Sequence, residues 1–218
     1  MAIESDVELA STYYDYHMSG LAEIYQQSVN LCVWQRDLSD DVIRYTAQLI
    51  KTKHWSMRTV VDITSIHNEI YAALPSLADE NGRLALTEDI TSVATLFADL
   101  FELENVGIRL SILDNTMCPR FHTDNLPCRL VTTYSGQGTE WLPEYAVDRS
   151  KLGHVSSGIA DHESGIYLNK SDIQQLSAGE VALMKGAGWD DYKRPIVHRS
   201  PEIASDEKRL ILTLDFAN

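Results

Sequence analysis

Cysteine is scarce: the 218 residues contain three, Cys32, Cys118 and Cys128. An odd and widely spaced set argues against a disulfide scaffold in a chain long enough to build its own core, so reduced thiols are expected. Long apolar runs are missing as well. No stretch approaches the ~18 apolar residues of a membrane span, and the opening MAIESDVELASTYYDYHM carries acidic residues where a secretory leader would be basic. A cytoplasmic protein without a membrane partner is the expectation. Basic residues are outnumbered, 18 Lys and Arg against 32 Asp and Glu, for a formal charge of −14. No cluster of five or more Lys or Arg offsets that balance, so phosphate backbones are repelled and nucleic acid is a poor candidate partner. Internal repeats and low-complexity segments are also missing, which sets aside solenoids and propellers.

What is present is 44% apolar residues, enough for one substantial core. Helical signals come first. Asp40 and Asp41 open a segment to Lys51 in which Val42, Ile43, Thr46, Leu49 and Ile50 recur at helical spacing. A second helix is expected from Thr87 as N-cap through Ile90, Val93, Ala94, Phe97 and Phe101, with Glu88 and Asp89 in its first turn. Ser65 to Ala73 is a third, Leu31 to Gln35 a short strand, and Asp79-Glu80-Asn81-Gly82 a loop. From Val106 the period changes to two: Val106, Ile108, Leu110 and Ile112 alternate with Gly107, Arg109, Ser111 and Leu113. Further strands are expected at Pro127 to Tyr134, Gly165 to Leu168, Glu180 to Lys185, Ile196 to His198 and Lys208 to Phe216. The pattern predicts an α+β chain, a mainly helical annex over 1–105 and a β-sandwich or barrel over 106–218, within one compact domain.

His122-Thr123-Asp124 carries the clearest chemistry. In extended backbone an i, i+2 pair projects to one face, so an imidazole and a carboxylate could share one divalent first-row metal. Such a site wants a second histidine from elsewhere, and His198, beside the strand-like Ile196-Val197, is the candidate. Eleven residues on, Arg209 opens a strand in which Arg209, Ile211, Thr213 and Asp215 share a face. A guanidinium set there suits a carboxylate, whether from a ligand or from Asp124, Asp206 or Asp215. Cys118 and Cys128 bracket His122, but their spacing lacks a short zinc knuckle, and buried thiols are the better account. His154 and His162, with Asp161 and Glu163, read as a solvated polar loop. Trp141 and Trp189 read as packing or as pocket walls, and the Tyr13-Tyr14-Asp15-Tyr16 cluster as packing or a subunit contact in a homo-oligomer.

The order His122-x-Asp124, a long gap, His198 and then Arg209 resembles the 2-oxoglutarate/iron(II)-dependent oxygenases. The turn and strand Ser177 to Gly186 also looks like the segment that precedes the distal histidine in that superfamily. More narrowly, Cys118 to Asp124, Pro127 to Tyr134 and Gly138 to Pro143 look like the bacterial domain of unknown function 1826. The superfamily resemblance implies a double-stranded β-helix (jelly roll) with the N-terminal helices packed on it. It implies iron(II) on His122, Asp124 and His198, and 2-oxoglutarate with its distal carboxylate on Arg209. Many members have Ser or Thr two residues after the arginine; here that position is Ile211, and Thr213 is next on the same face. The implied activity is hydroxylation of a small molecule or a protein side chain. The alternatives are a cupin-like protein holding zinc, nickel or manganese without 2-oxoglutarate chemistry, and a binding module that has lost catalysis.

Overall fold

The computed structural model describes residues 10–52, 55–153, 158–190 and 194–217. Two sheets face one another. The larger has seven strands in the order β1-β2-β8-β5-β10-β4-β3, formed by Ser11–Asp15 (β1), Val29–Trp34 (β2), Ser56–Asp62 (β3), Asn105–Leu113 (β4), Cys128–Ser135 (β5), Val181–Lys185 (β8) and Arg209–Phe216 (β10). The smaller runs β7-β6-β9, from Gln174–Gln175 (β7), Glu140–Leu142 (β6) and Val197–Arg199 (β9), and an antiparallel bridge from His122 to His198 extends it. From β4 onward the chain crosses repeatedly between the two sheets, with β6 and β7 consecutive in the smaller one: this is a double-stranded β-helix with helices on its outer face.

Residue alternation explains the layers. Along β10, Leu210, Leu212 and Leu214 are fully buried and join one core with Ile90, Val93 and Phe97 of a long helix. Each such side chain contributes about 1.5–3 kcal/mol by leaving water. The opposite face of β10 carries Arg209, Ile211, Thr213 and Asp215, and it looks toward the smaller sheet. Between the sheets a second core gathers Leu31, Val33, Val131, Trp141, Leu176, Ala182, Met184 and Ile196.

Three helices cover the outside: Asp40–Leu49 (α1), Ile66–Ala73 (α2) and Glu80–Phe101 (α3). The expected N-cap of α3 at Thr87 is corrected by eight residues. Asp79 is its N-cap, accepting from the Gly82 N–H, and Thr87 lies mid-helix with its hydroxyl donating to the Arg83 carbonyl. The Asp-Glu-Asn-Gly run reads as a loop by composition, but Gly82 serves packing: a Cβ there would lie 2.6 Å from the Tyr45 Cβ, so glycine lets α3 approach α1. Before residue 105 the chain also supplies β1, β2 and β3, so 1–105 contributes both edges of the large sheet as well as the helices. The tyrosine cluster lies here, Tyr13, Tyr14 and Asp15 on β1 paired parallel to β2, while Tyr16 beyond it is 77% exposed. Gly165 to Leu168 forms no strand; it follows a single helical turn, Asp161–Ser164 (α4). None of the described helices is long and apolar enough to cross a membrane.

Candidate metal centre

The backbone brings the two histidines together. His122 N–H donates to the His198 carbonyl and His198 N–H to the His122 carbonyl, both at 3.0 Å, a hydrogen-bonded antiparallel pair. Such pairing sets neighbouring Cα atoms about 5.5 Å apart, and here the ring centroids are 4.6 Å apart. Asp124 completes the group: its Oδ1 lies 3.7 Å from His122 Nε2 and its Oδ2 lies 3.6 Å from His198 Nε2. One ligand atom from each residue falls within 4.8 Å of the others, a spacing that a single ion can draw together.

The rings are oriented for that role. His122 Nδ1 is 2.9 Å from the Arg120 carbonyl and His198 Nδ1 is 3.3 Å from the Ile196 carbonyl. A carbonyl can only accept, so each Nδ1 carries the proton and each Nε2 turns a lone pair toward Asp124. Burial pushes His198 well below the usual imidazole range, against the opposing pull of Asp124, which favours the neutral form that binds metal. Two nitrogens and one carboxylate on one side of an ion, with open positions beyond, fit iron(II) and other divalent first-row metals.

Around the ligands stands a shell that sequence reasoning missed. Arg129 on β5 donates from Nη1 to Asp124 Oδ2 at 2.8 Å and grips Asp215 with its other two donors at 2.7 and 2.8 Å. The only signal in the sequence is its place, two residues after Pro127. Asp161, expected in a solvated loop, is buried: its Oδ2 accepts from the Phe121 N–H and from Arg199 Nη1, both at 2.9 Å. One carboxylate thus clips the residue before His122 to the residue after His198. His162 and Glu163, beside it, are solvated as expected, and His154 lies outside the described residues. Asp124's loop is set by glycine: Ala187 N–H donates to the Asp124 carbonyl at 2.7 Å, and a Cβ on Gly186 would stand 2.1 Å from the Leu126 carbonyl oxygen.

A cavity of about 100 Å³ opens on the two histidines and is lined by residues including His122, His198, Arg129, Thr139, Met184, Ile211 and Thr213. Arg209 stands behind Thr139. It is 1% exposed, and Nη2 donates to Thr133 Oγ1 at 2.9 Å and to Thr139 Oγ1 at 2.8 Å. Among the described residues no carboxylate pairs with it: Arg129 holds Asp124 and Asp215, and Arg209 Nη1 has no hydrogen-bond partner. Burial pulls this guanidinium down to about 10. Thr213 lines the cavity without a hydrogen bond to Arg209.

The remaining candidates fall into packing. Trp141 belongs to the core between the sheets, and Trp189 packs against Tyr25 and Phe101 with Lys185 over its ring. Cys32 and Cys128 are buried, which pushes the Cys32 thiol up to about 12 and raises Cys128 as well. Cys118 departs from the expectation of buried thiols; it is exposed and lines the cavity mouth, because the segment before Phe121 runs over the surface.

Comparison with solved structures finds a Pseudomonas putida prolyl-4-hydroxylase at 11% identity and a TM-score of 0.48, covering 92% of this chain and 99% of that one. A dioxygenase for auxin oxidation from rice gives 11% and 0.44 over 95% and 82%. A putative oxygenase from Shewanella oneidensis gives 9% and 0.48 over 94% and 89%. No curated protein matches the sequence. Residues 15–215 match the family described as "Protein of unknown function (DUF1826)", and the chain belongs to that family.

Proposed function

We propose that this protein is an iron(II)- and 2-oxoglutarate-dependent oxygenase that hydroxylates an organic substrate. The observation that carries the reading is the convergence of His122 Nε2, Asp124 and His198 Nε2 at one cavity of the jelly roll. His122, Asp124 and His198 would hold the metal. Arg209, a buried cation without a carboxylate, would take the distal carboxylate of 2-oxoglutarate, flanked by the Thr133 and Thr139 hydroxyls. When bound, the iron would activate O₂ as the oxidant, and the keto acid, oxidised to succinate and CO₂, would supply two of the four electrons that O₂ takes up, the C–H bond that is hydroxylated supplying the other two.

The chain's own contribution is placement and the exclusion of water. Backbone carbonyls fix the histidine tautomers, Arg129 fixes the Asp124 carboxylate, and Asp161 fixes both histidine segments. Val131, Met184 and Ile211 give the cavity apolar walls that keep solvent from reacting groups.

Anaerobic titration of metal-free protein with iron(II) and then 2-oxoglutarate tests the reading. A weak visible charge-transfer band in wild type that fades in Arg209→Ala is the expected result. Bound metal with no band would sink the oxygenase reading and favour zinc, nickel or manganese chemistry on the same triad.

A further inference from the structure

The chain has eleven arginines. Eight of them, Arg36, Arg44, Arg83, Arg120, Arg129, Arg149, Arg194 and Arg199, have a carboxylate oxygen within 4.0 Å. The three without a carboxylate partner among the described residues are Arg58, Arg109 and Arg209. In a chain with 32 acidic residues that is a pointed omission, and the three share one location. Register places Arg58 opposite Arg109, Arg109 opposite Thr213, and Arg209 opposite Leu113, so all three stand on the cavity face of the large sheet. Arg209 is already given a role.

Arg58 and Arg109 are a directly opposed like-charge pair, an arrangement that destabilises a sheet unless something anionic comes between. The hydrogen bonds of Arg109 go to neutral groups, Ser111 Oγ at 3.3 Å and Met117 Sδ at 3.0 Å. The two arginines line an open trough of about 610 Å³ with Arg129, Thr213 and Asp215. Both Asp215 oxygens are engaged by Arg129, whose charge is shared with Asp124, and neither Arg58 nor Arg109 is paired with Asp215. The trough is continuous with the metal cavity: Arg109, Arg129 and Thr213 line both.

We propose that Arg58 and Arg109 form the anion-recognition end of the substrate site, binding a carboxylate or phosphate of the prime substrate whose reacting carbon lies at the triad. This rests on the oxygenase reading. Arg109, His122 and His198 line the same cavity, so the oxyanion and the reacting carbon belong to one substrate molecule lying across it.

The test uses metal-free protein, titrated calorimetrically with inorganic phosphate and with succinate against sodium chloride at matched ionic strength. Wild type, Arg58→Gln, Arg109→Gln and Arg44→Gln are compared, each also with Arg209→Met so that the deep arginine cannot contribute. We expect one saturable anion site that survives Arg209→Met and Arg44→Gln. Either glutamine on the trough should weaken it about tenfold, as loss of one charge-assisted hydrogen bond implies. Arg58→Lys should retain part of the binding. Tighter phosphate than succinate would assign a phosphoryl group and the reverse a carboxylate. Binding no stronger than chloride, or unmoved by both glutamines, or lost with Arg209→Met, overturns the proposal. Because no metal is present, a failed iron and 2-oxoglutarate titration would remove the oxygenase reading without altering this result.

Discussion

Replacing Arg209 with methionine is expected to stabilise the free protein while removing its response to 2-oxoglutarate. The two effects oppose each other, and the structure gives their sizes. Burial draws the guanidinium from 12.5 to about 10, which corresponds to about 3 kcal/mol against carrying charge there. Nη1, buried without a partner, adds about 1–3 kcal/mol. Against this stand two short bonds to Thr133 and Thr139, together about 3 kcal/mol. The balance favours a methionine of similar length by about 1–3 kcal/mol, as when buried ionic groups are replaced by apolar ones elsewhere. For a chain of this size that raises Tm by about 2–12 °C. Differential scanning calorimetry of metal-free protein reads it directly. With both proteins already saturated with manganese(II), adding 2-oxoglutarate at about a hundredfold over Kd should give wild type a further gain of about 2.7 kcal/mol and the variant none. A metal-free variant less stable than wild type would show that Arg209 is a structural arginine, and the reasoning would fail.

Three further perturbations follow. Arg129→Gln frees the Asp124 carboxylate and should weaken metal binding about 10–100-fold in a competitive chelator titration; unchanged affinity would remove Arg129 from the site. Gly186→Ala places a methyl 2.1 Å from the Leu126 carbonyl oxygen, so the Asp124 loop must shift; metal affinity should fall together with Tm, and a variant with both intact would refute that close approach. At pH 8 the raised Cys32 and Cys128 stay protonated and buried, so a disulfide-exchange reagent should titrate Cys118 alone in the native protein and all three thiols in denaturant.

Much of the candidate site was readable because its signal is local. His122 and Asp124 lie two apart, and the strict alternation of Arg209 to Phe216 sorts core from cavity without knowledge of any partner strand. The supporting shell was not readable, since each member works across a long gap: Arg129 reaches Asp215 86 residues away, and Asp161 reaches Phe121 40 residues back. Composition also misled where a residue served packing, as at Gly82, whose missing Cβ admits Tyr45. β3 escaped notice because its Arg58 and Val60 are exposed at a sheet edge, leaving Val61 as its one buried residue.

β10 lies in the middle of the large sheet, between β5 and β4, although it is the latest of the strands in sequence. The two halves of the sheet, β1-β2-β8-β5 on one side and β4-β3 on the other, therefore have no edge in common until that segment slides between them. Pairings between residues about a hundred apart, such as Thr213 with Arg109, must close before either half is secured. Folding dominated by such distant contacts runs in milliseconds to seconds rather than microseconds. During that interval β4 and β5 each offer an open edge to other copies of the chain. Yield on refolding should accordingly fall steeply with protein concentration, and a peptide spanning β10 should act as an inhibitor of its own protein's assembly.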